Sequence, residues 1–187
     1  LLKLINEVLD LSRIESGRLE LRIEAVPVLP AVQACLRQLQ LLAAQRDLSM
    51  ALESDTSCAV LADAMRFKQV VLNLLSNAIK YNRRGGSIHV SWAPVDGRRL
   101  RIVVRDTGRG IPVNVLPRLF LPFERFNTAD EISEGSGIGL PLAKNLVEAM
   151  RGDIGVTSVA GTGSTFWFEL PLAPTSDDGF NPHAVAP

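Results

Sequence analysis

Apolar residues at the start of the chain recur at helical spacing. Leu1, Leu4, Ile5, Val8, Leu9 and Leu11 fall on one stripe, with Lys3, Glu7, Asp10, Arg13 and Glu15 mostly off it, which predicts an amphipathic helix over residues 1–21. Ser16-Gly17 reads as the weakening end of that pattern, and its uncapped start is expected to continue a helix that begins upstream. Pro27 and Pro30 punctuate the connection, after which Val32, Leu36, Leu39 and Leu42/Ala43 restore helical spacing over residues 30–45. Residues 48–52 and 58–61 are short strand candidates around a polar turn at 53–57. Asp63 precedes the clearest helix, whose inward positions are Phe67, Val70, Val71, Leu74, Leu75 and Ala78 and which ends near Arg83-Arg84-Gly85-Gly86. Residues 87–92 and 100–104 flank Val95-Asp96-Gly97-Arg98, a hairpin signal. A further helix over residues 140–150 opens on Pro141 and closes at Gly152. Strands at 154–159 and 164–170 follow, joined by Ala160-Gly161-Thr162-Gly163.

This order of elements predicts an α+β two-layer sandwich: a mixed, mostly antiparallel sheet with helices on one face, preceded by an N-terminal helix. At 187 residues and 47% hydrophobic, the chain can bury one core with a small appendage. The expected division is 1–24 for the helix and its connection, 25–172 for the globular domain, and 173–187 for a polar tail expected to be mobile. Twenty basic residues balance twenty acidic ones, so bulk charge gives no reason to expect nucleic acid or an anionic membrane as partner. Cys35 and Cys58 lack metal-site spacing and sit in apolar surroundings, as expected of inert thiols in a reduced, cytoplasmic protein. No uninterrupted apolar run reaches spanning length, so no direct membrane contact is expected of this stretch, although a parent protein attached to the inner membrane elsewhere is compatible with it.

Three segments carry candidate chemistry. Asn73, Asn77 and Lys80 fall at i, i+4 and i+7, on the face of their helix opposite the apolar stripe. Asparagine is a poor helix former, yet its amide oxygen suits a Mg²⁺ ion that already carries triphosphate oxygens, and Lys80 would meet phosphate as a point charge. Asp106-Thr107-Gly108-Arg109-Gly110-Ile111 follows an apolar strand. Its carboxylate can accept a hydrogen bond from an exocyclic amine such as adenine N6, while the glycines let backbone approach a flat ring. Gly135-Ser136-Gly137-Ile138-Gly139-Leu140 runs directly into a helix, where backbone N–H groups and the helix dipole favour phosphate oxygens. That loop has neither the spacing of a Rossmann fingerprint nor the Gly-Lys-Ser/Thr of a Walker loop. Leu119-Phe120-Leu121-Pro122-Phe123-Glu124-Arg125-Phe126 reads as an aromatic anchor before a polar segment at 127–134.

In this order the segments resemble the catalytic domain of sensor histidine kinases, within the gyrase, heat-shock chaperone, histidine kinase and mismatch-repair ATPase superfamily. Phe67-Lys68-Gln69-Val70-Val71-Leu72-Asn73-Leu74-Leu75-Ser76-Asn77-Ala78-Ile79-Lys80-Tyr81 is similar to the N box, Asp106 to Ile111 to the first glycine box, and Leu119 to Phe126 to the F box. Gly135 to Leu140 resembles the second glycine box, and Gly161-Thr162-Gly163-Ser164-Thr165-Phe166 the closing glycine motif. Asp10-Leu11-Ser12-Arg13-Ile14-Glu15-Ser16-Gly17 is similar to the end of the second helix of the family's dimerisation hairpin. The resemblance implies a Bergerat-type ATP-binding fold that takes ATP and Mg²⁺. It makes Asn77 the metal ligand, places Asn73 and Lys80 toward the phosphates, sets Tyr81 over the nucleotide and gives Asp106 the adenine amine. Gly108, Gly110 and Ile111 would shape the turn beneath the base; Gly135, Ser136, Gly137, Ile138, Gly139 and Leu140 would form the lid hinge and phosphate end, and Thr165 would complete the nucleotide-binding set. Asn77, Lys80 and Arg125 are the implied catalytic residues, with Arg125 reaching the γ-phosphate or the hairpin.

Hydrolysing members of the superfamily carry a glutamate one turn before the metal-binding asparagine. Here Asn73 stands there and cannot take a proton, so the resemblance implies phosphoryl transfer to an imidazole rather than hydrolysis. His89 alternates onto a polar strand face and His183 lies in the tail, so the acceptor is expected upstream of residue 1, and this stretch alone is expected to bind ATP without autophosphorylating. The implied partners are the parent's own dimerisation hairpin, paired in a homodimer, and a response-regulator receiver domain. Two rival readings are a non-catalytic scaffold or pseudokinase of the same fold and an anti-sigma-type serine kinase; the hairpin-like first helix speaks against the latter.

Overall fold

The computed structural model describes residues 2–54, 56–124 and 137–174. The expected tail at 175–187, with His183, lies outside the described residues, as do Arg125, Phe126, Gly135 and Ser136.

Helix α1 (Leu2–Glu15) ends well before residue 21. Gly17 takes a φ of 66°, and the N–H groups of Gly17 and Arg18 donate back to the Ile14 and Arg13 carbonyls at 2.9 Å each, closing the last turn. Strand β1 (Glu24–Pro27) was not anticipated, because four residues ending in proline carry almost no strand signature. It leads into α2 (Val28–Ala44), which starts two residues earlier than its spacing predicts.

The two short strands, β2 (Ser49–Leu52) and β3 (Ala59–Ala62), do not pair with each other. Strand β3 pairs with β1 in an antiparallel ribbon, Val26 opposite Val60, while β2 runs parallel to β4 (Ser87–Val95) at the edge of the main sheet. That sheet has five strands in the order β2-β4-β5-β7-β6, with β5 spanning Arg99–Asp106, β6 Asp153–Val159 and β7 Gly163–Pro171; all pairs but the first are antiparallel. Asp96 and Gly97 both take positive φ, 54° and 70°, in the tight β4–β5 connection, which spans residues 96–98 between the paired Val95 and Arg99.

Helix α3 (Ala64–Lys80) is the pivot of the packing. The Asp63 carboxylate caps it, one oxygen accepting the N–H groups of Met65 and Arg66 at 3.0 Å each; the other accepts the Arg22 N–H at 3.0 Å and so ties down the connection from α1. Phe67, Val70, Val71, Leu74, Leu75, Ala78 and Ile79 are buried against the sheet, where Phe67 meets Phe168 edge to face at 5.8 Å. Together with α2 and α4 (Gly139–Ala149) it covers one face of the sheet, whose inward residues include Ile88, Val90, Ile102, Val104, Phe166, Phe168 and Leu170. The two-layer sandwich read from the sequence is the observed architecture. Cys35 is buried and Cys58 half-buried, both as free thiols whose pKa burial raises.

Helix α1 is fastened to this unit by charge. The Arg66 guanidinium grips the Asp10 carboxylate with two hydrogen bonds, at 2.7 and 3.0 Å, and Gln69 donates a third at 3.2 Å. Burial works against the ionised Asp10 carboxylate, but the hydrogen bonds from Arg66 and Gln69 and the charges of Arg66 and Arg13 outweigh it, holding the carboxyl below its ordinary range. Its stabilising contribution is therefore present above the unfolded pKa of about 3.9 and is lost as pH falls through the lower folded value. Asp10→Asn is expected to cost about 2 kcal/mol and to raise amide hydrogen exchange in α1 selectively. The wild-type chain should show the same loosening only in acid, below about pH 4.

Candidate functional site

The polar face of α3 is half-buried where the apolar face is fully so, and it points toward the start of α4. The Asn73 amide donates to the Gly139 carbonyl at 3.1 Å and so couples the middle of α3 to the first residue of α4. One turn on, the half-buried Asn77 amide has no hydrogen-bond partner among the described residues. An amide oxygen in that condition is available to a cation's hydration shell or to the cation itself. Lys80 is also half-buried, its Nζ lying 4.8 Å from the Tyr81 ring centroid. The N-cap residue of α4 is Ile138, which makes no side-chain cap hydrogen bond, and the first-turn N–H groups of a helix have no partner within the helix itself.

Asp106 ends β5 on the helix-covered side of the sheet and is 7% exposed. Burial pushes its carboxyl above the ordinary value, against hydrogen bonds from the N–H groups of Gly108, at 2.8 Å, and Ser164. A carboxylate has about four lone-pair sites, so two backbone donors leave acceptor capacity for an amine. Gly108 is needed at its position: a Cβ there would lie 2.5 Å from the Tyr81 carbonyl and 2.7 Å from the Asp106 carboxylate. Arg109 donates its N–H to that Tyr81 carbonyl at 3.2 Å, so the first glycine segment is laced to the C-terminal end of α3. Its far end is laced to the β6–β7 turn. The Ile111 N–H donates to Ser158 Oγ at 2.8 Å and the Gly161 N–H to the Arg109 carbonyl at 2.6 Å, while Gly110 turns at a φ of 67°.

The second glycine segment is described from Gly137 onward. Gly137 takes a φ of 69° and its carbonyl accepts the Phe123 N–H at 3.1 Å; Ile138 is fully buried, and Leu140 packs on the core. The structure thus brings Asn73, Asn77 and Lys80 of α3, and Tyr81 at its C-cap, together with Asp106, Gly108, Gly110 and Ile111 on one side and Gly137, Ile138, Gly139 and Leu140 on the other.

Residues 62–174, more than half of the chain, match the family described as histidine kinase-, DNA gyrase B- and HSP90-like ATPase. The chain belongs to this ATPase family. It is 38% identical to the sensory/regulatory protein RpfC of Xanthomonas campestris pv. campestris, over 92% of this chain and 25% of that protein. It is 38% identical to the sensor histidine kinase RcsC of Escherichia coli K12, over 92% of this chain and 18% of that protein. The chain therefore spans a quarter or less of the length of these curated relatives. Among solved structures, full-length ShkA in complex with AMPPNP aligns with a TM-score of 0.81 at 30% identity, over 93% of this chain and 36% of that one.

Among the described residues of the expected set, Thr165 faces away from this cluster. Thr165 pairs with Arg105 and Thr157 and points to the sheet face away from the helices, whereas its neighbour Ser164 lies directly opposite Asp106 and is 6% exposed. Ser164 Oγ lies 3.0 Å from Ser158 Oγ. Strand alternation could have found it, since Phe166, Phe168 and Leu170 set the inward register and Ser164 falls on it. The F-box segment also differs from an aromatic anchor as far as it is described. Phe123 is 65% exposed and engages Gly137 through its backbone, and Phe120 is half-buried with Lys144 Nζ 6.0 Å from its ring centroid. His89 faces outward as expected, bonded to Glu53 at 2.6 Å and Ser87 at 3.0 Å. Among the described residues no helix is long and apolar enough to cross a membrane.

Gly163 determines how closely the closing turn approaches the site. Its φ is 142°, and a Cβ there would stand 2.1 Å from the Asp106 carbonyl. Gly163→Ala is expected to lower stability by about 2–3 kcal/mol, read as a fall in Tm, because both backbone angle and space oppose the methyl.

Proposed function

We propose that this chain binds Mg-ATP and presents the γ-phosphoryl group to a histidine on a dimerisation hairpin, as the catalytic domain of a two-component sensor histidine kinase, for relay to a response-regulator aspartate. One observation carries the reading: the amide face of α3, the Asp106 carboxylate and the start of α4 converge, joined by the Asn73–Gly139 hydrogen bond and the Gly108 contacts. The similarity to the sensor histidine kinase RcsC and to ShkA, solved in complex with AMPPNP, supports it.

Each group then has a task that its environment suits. Asp106 accepts the adenine amine in a buried setting that rejects a base offering an acceptor at that place. Tyr81 forms a wall for the base, and Gly108 leaves room for the backbone to approach it. Asn77 supplies a neutral oxygen to Mg²⁺, Lys80 meets the phosphates, and the uncapped amides at Gly139 and Leu140 receive phosphate oxygens. Bound Mg²⁺ would neutralise the triphosphate charge. Asn73 occupies the position from which a carboxylate could deprotonate water. Its amide is committed to Gly139 and cannot act as a base, so the γ-phosphoryl is preserved for an imidazole nucleophile. Arg125, outside the described residues, keeps in this reading the role that the family resemblance implies, reaching the γ-phosphate or the hairpin.

Because ionised Asp106 is held in a buried place that raises its pKa, its charge costs stability at neutral pH, a cost relieved as pH falls through the raised value. Asp106→Asn should therefore leave Tm unchanged or higher while weakening Mg-ATP about 10- to 100-fold in calorimetric titration. Undiminished affinity in this variant would remove Asp106 from the site. Transfer is tested by mixing the chain with radiolabelled Mg-ATP and a separately made hairpin bearing the acceptor histidine. Labelled hairpin is expected; tight nucleotide binding with no label would favour a nucleotide-binding scaffold.

A further inference from the structure

Two cations share one aromatic ring beside this site. Lys80 Nζ and Arg109 Cζ each lie 4.8 Å from the centroid of Tyr81, the only tyrosine of the chain. Tyr81 is 37% exposed, so part of its surface remains open for a ligand. The two cations differ in how they are held. Lys80 is a compact, strongly hydrated charge on a flexible stem and is drawn readily to phosphate, whereas the guanidinium is planar and stacks on aromatic faces. Arg109 is also attached to the ring's own residue through its backbone, donating to the Tyr81 carbonyl at 3.2 Å, and its carbonyl is fixed by the Gly161 N–H. Residue 109 is thus pinned on both sides, between glycines at 108 and 110 that fit no other residue.

We propose that Arg109 is a positioning residue for nucleotide binding, its guanidinium holding the Tyr81 ring upright as the wall of the base subsite after Lys80 has moved from the ring to the triphosphate. The proposal rests on the reading that the site takes Mg-ATP and adds a residue to it. Arg109 touches the ring rather than the phosphates. Its loss therefore weakens ATP and ADP alike, through Tyr81.

The test is a double-mutant cycle on the whole chain, with Mg-ATP and Mg-ADP affinities measured by calorimetry for wild type, Arg109→Leu, Arg109→Lys, Tyr81→Leu and the Arg109→Leu/Tyr81→Leu pair. Arg109→Leu is expected to weaken both nucleotides equally, by about fivefold, with Arg109→Lys intermediate. In the Tyr81→Leu background the same change should cost less than about twofold. An unchanged affinity for Arg109→Leu would overturn the proposal, as would a loss confined to ATP or a full loss in the Tyr81→Leu background. The Asp106→Asn variant, titrated alongside, separates the two levels. If wild type binds and Asp106→Asn binds more weakly, a silent Arg109 sinks only the positioning role; if wild type fails to bind, the Mg-ATP reading falls and the proposal falls with it.

Discussion

The structure depends on the two-sidedness of α3. Seven of its side chains are buried under the sheet, and that burial fixes the rotation of the helix in a close-packed interior. Asn73, Asn77 and Lys80 inherit their direction from it, since on a helix their positions follow from those of Phe67, Val70 and Leu74. The Asn73–Gly139 hydrogen bond then transmits that placement to α4, whose N-terminus is the second half of the site. Core and site are two faces of one object. The same polar stripe reaches the first turn of α3, where Arg66 and Gln69 hold Asp10 of α1, so the helix that carries the candidate nucleotide groups also seats the hairpin-like helix.

The sheet supplies the third component through register. Pairing of β5 with both β4 and β7 puts Asp106 opposite Ile88 on one side and Ser164 on the other, at the rim of the apolar layer. A carboxylate there is partly starved of water, which raises its pKa, and two backbone N–H groups keep it from being an orphan. The fold carries an ionisable group where an apolar one would be more stable. Such a placement asks for a reason beyond folding, which the proposed recognition of an amine at that spot would supply. The glycines around it set the approach distances: Gly108 lies against the Tyr81 carbonyl, Gly163 against that of Asp106.

Much of this was legible in the sequence because long periodic segments specify their own buried faces. The burial of α3, the β4–β5 hairpin and the two closing strands all follow from apolar spacing and turn residues. What escaped depends on tertiary context. The pattern of α1 continues past its end because Leu19 and Leu21 are partly buried in a non-helical connection, so apolar spacing persisted after Gly17 had stopped the helix. Strand β1 exists only because β3 offers it an edge. A motif string does not state which of two adjacent residues faces inward, whereas the register of β5 against β7 turns Ser164 toward Asp106 and Thr165 to the outer face. The exposed ring of Phe123 shows the converse: an aromatic reads as an anchor in sequence, yet here the backbone makes the connection to Gly137.

Convergence on a single ligand is the central claim, and backbone-amide NMR during a Mg-ATP titration tests it most directly. The account predicts that resonances at Asn77, Gly108 and Gly139 shift together along one saturation curve, while those around His89 and Trp167 on the outer sheet face stay still. Shifts confined to one of those three segments, or centred on the outer face, would contradict it.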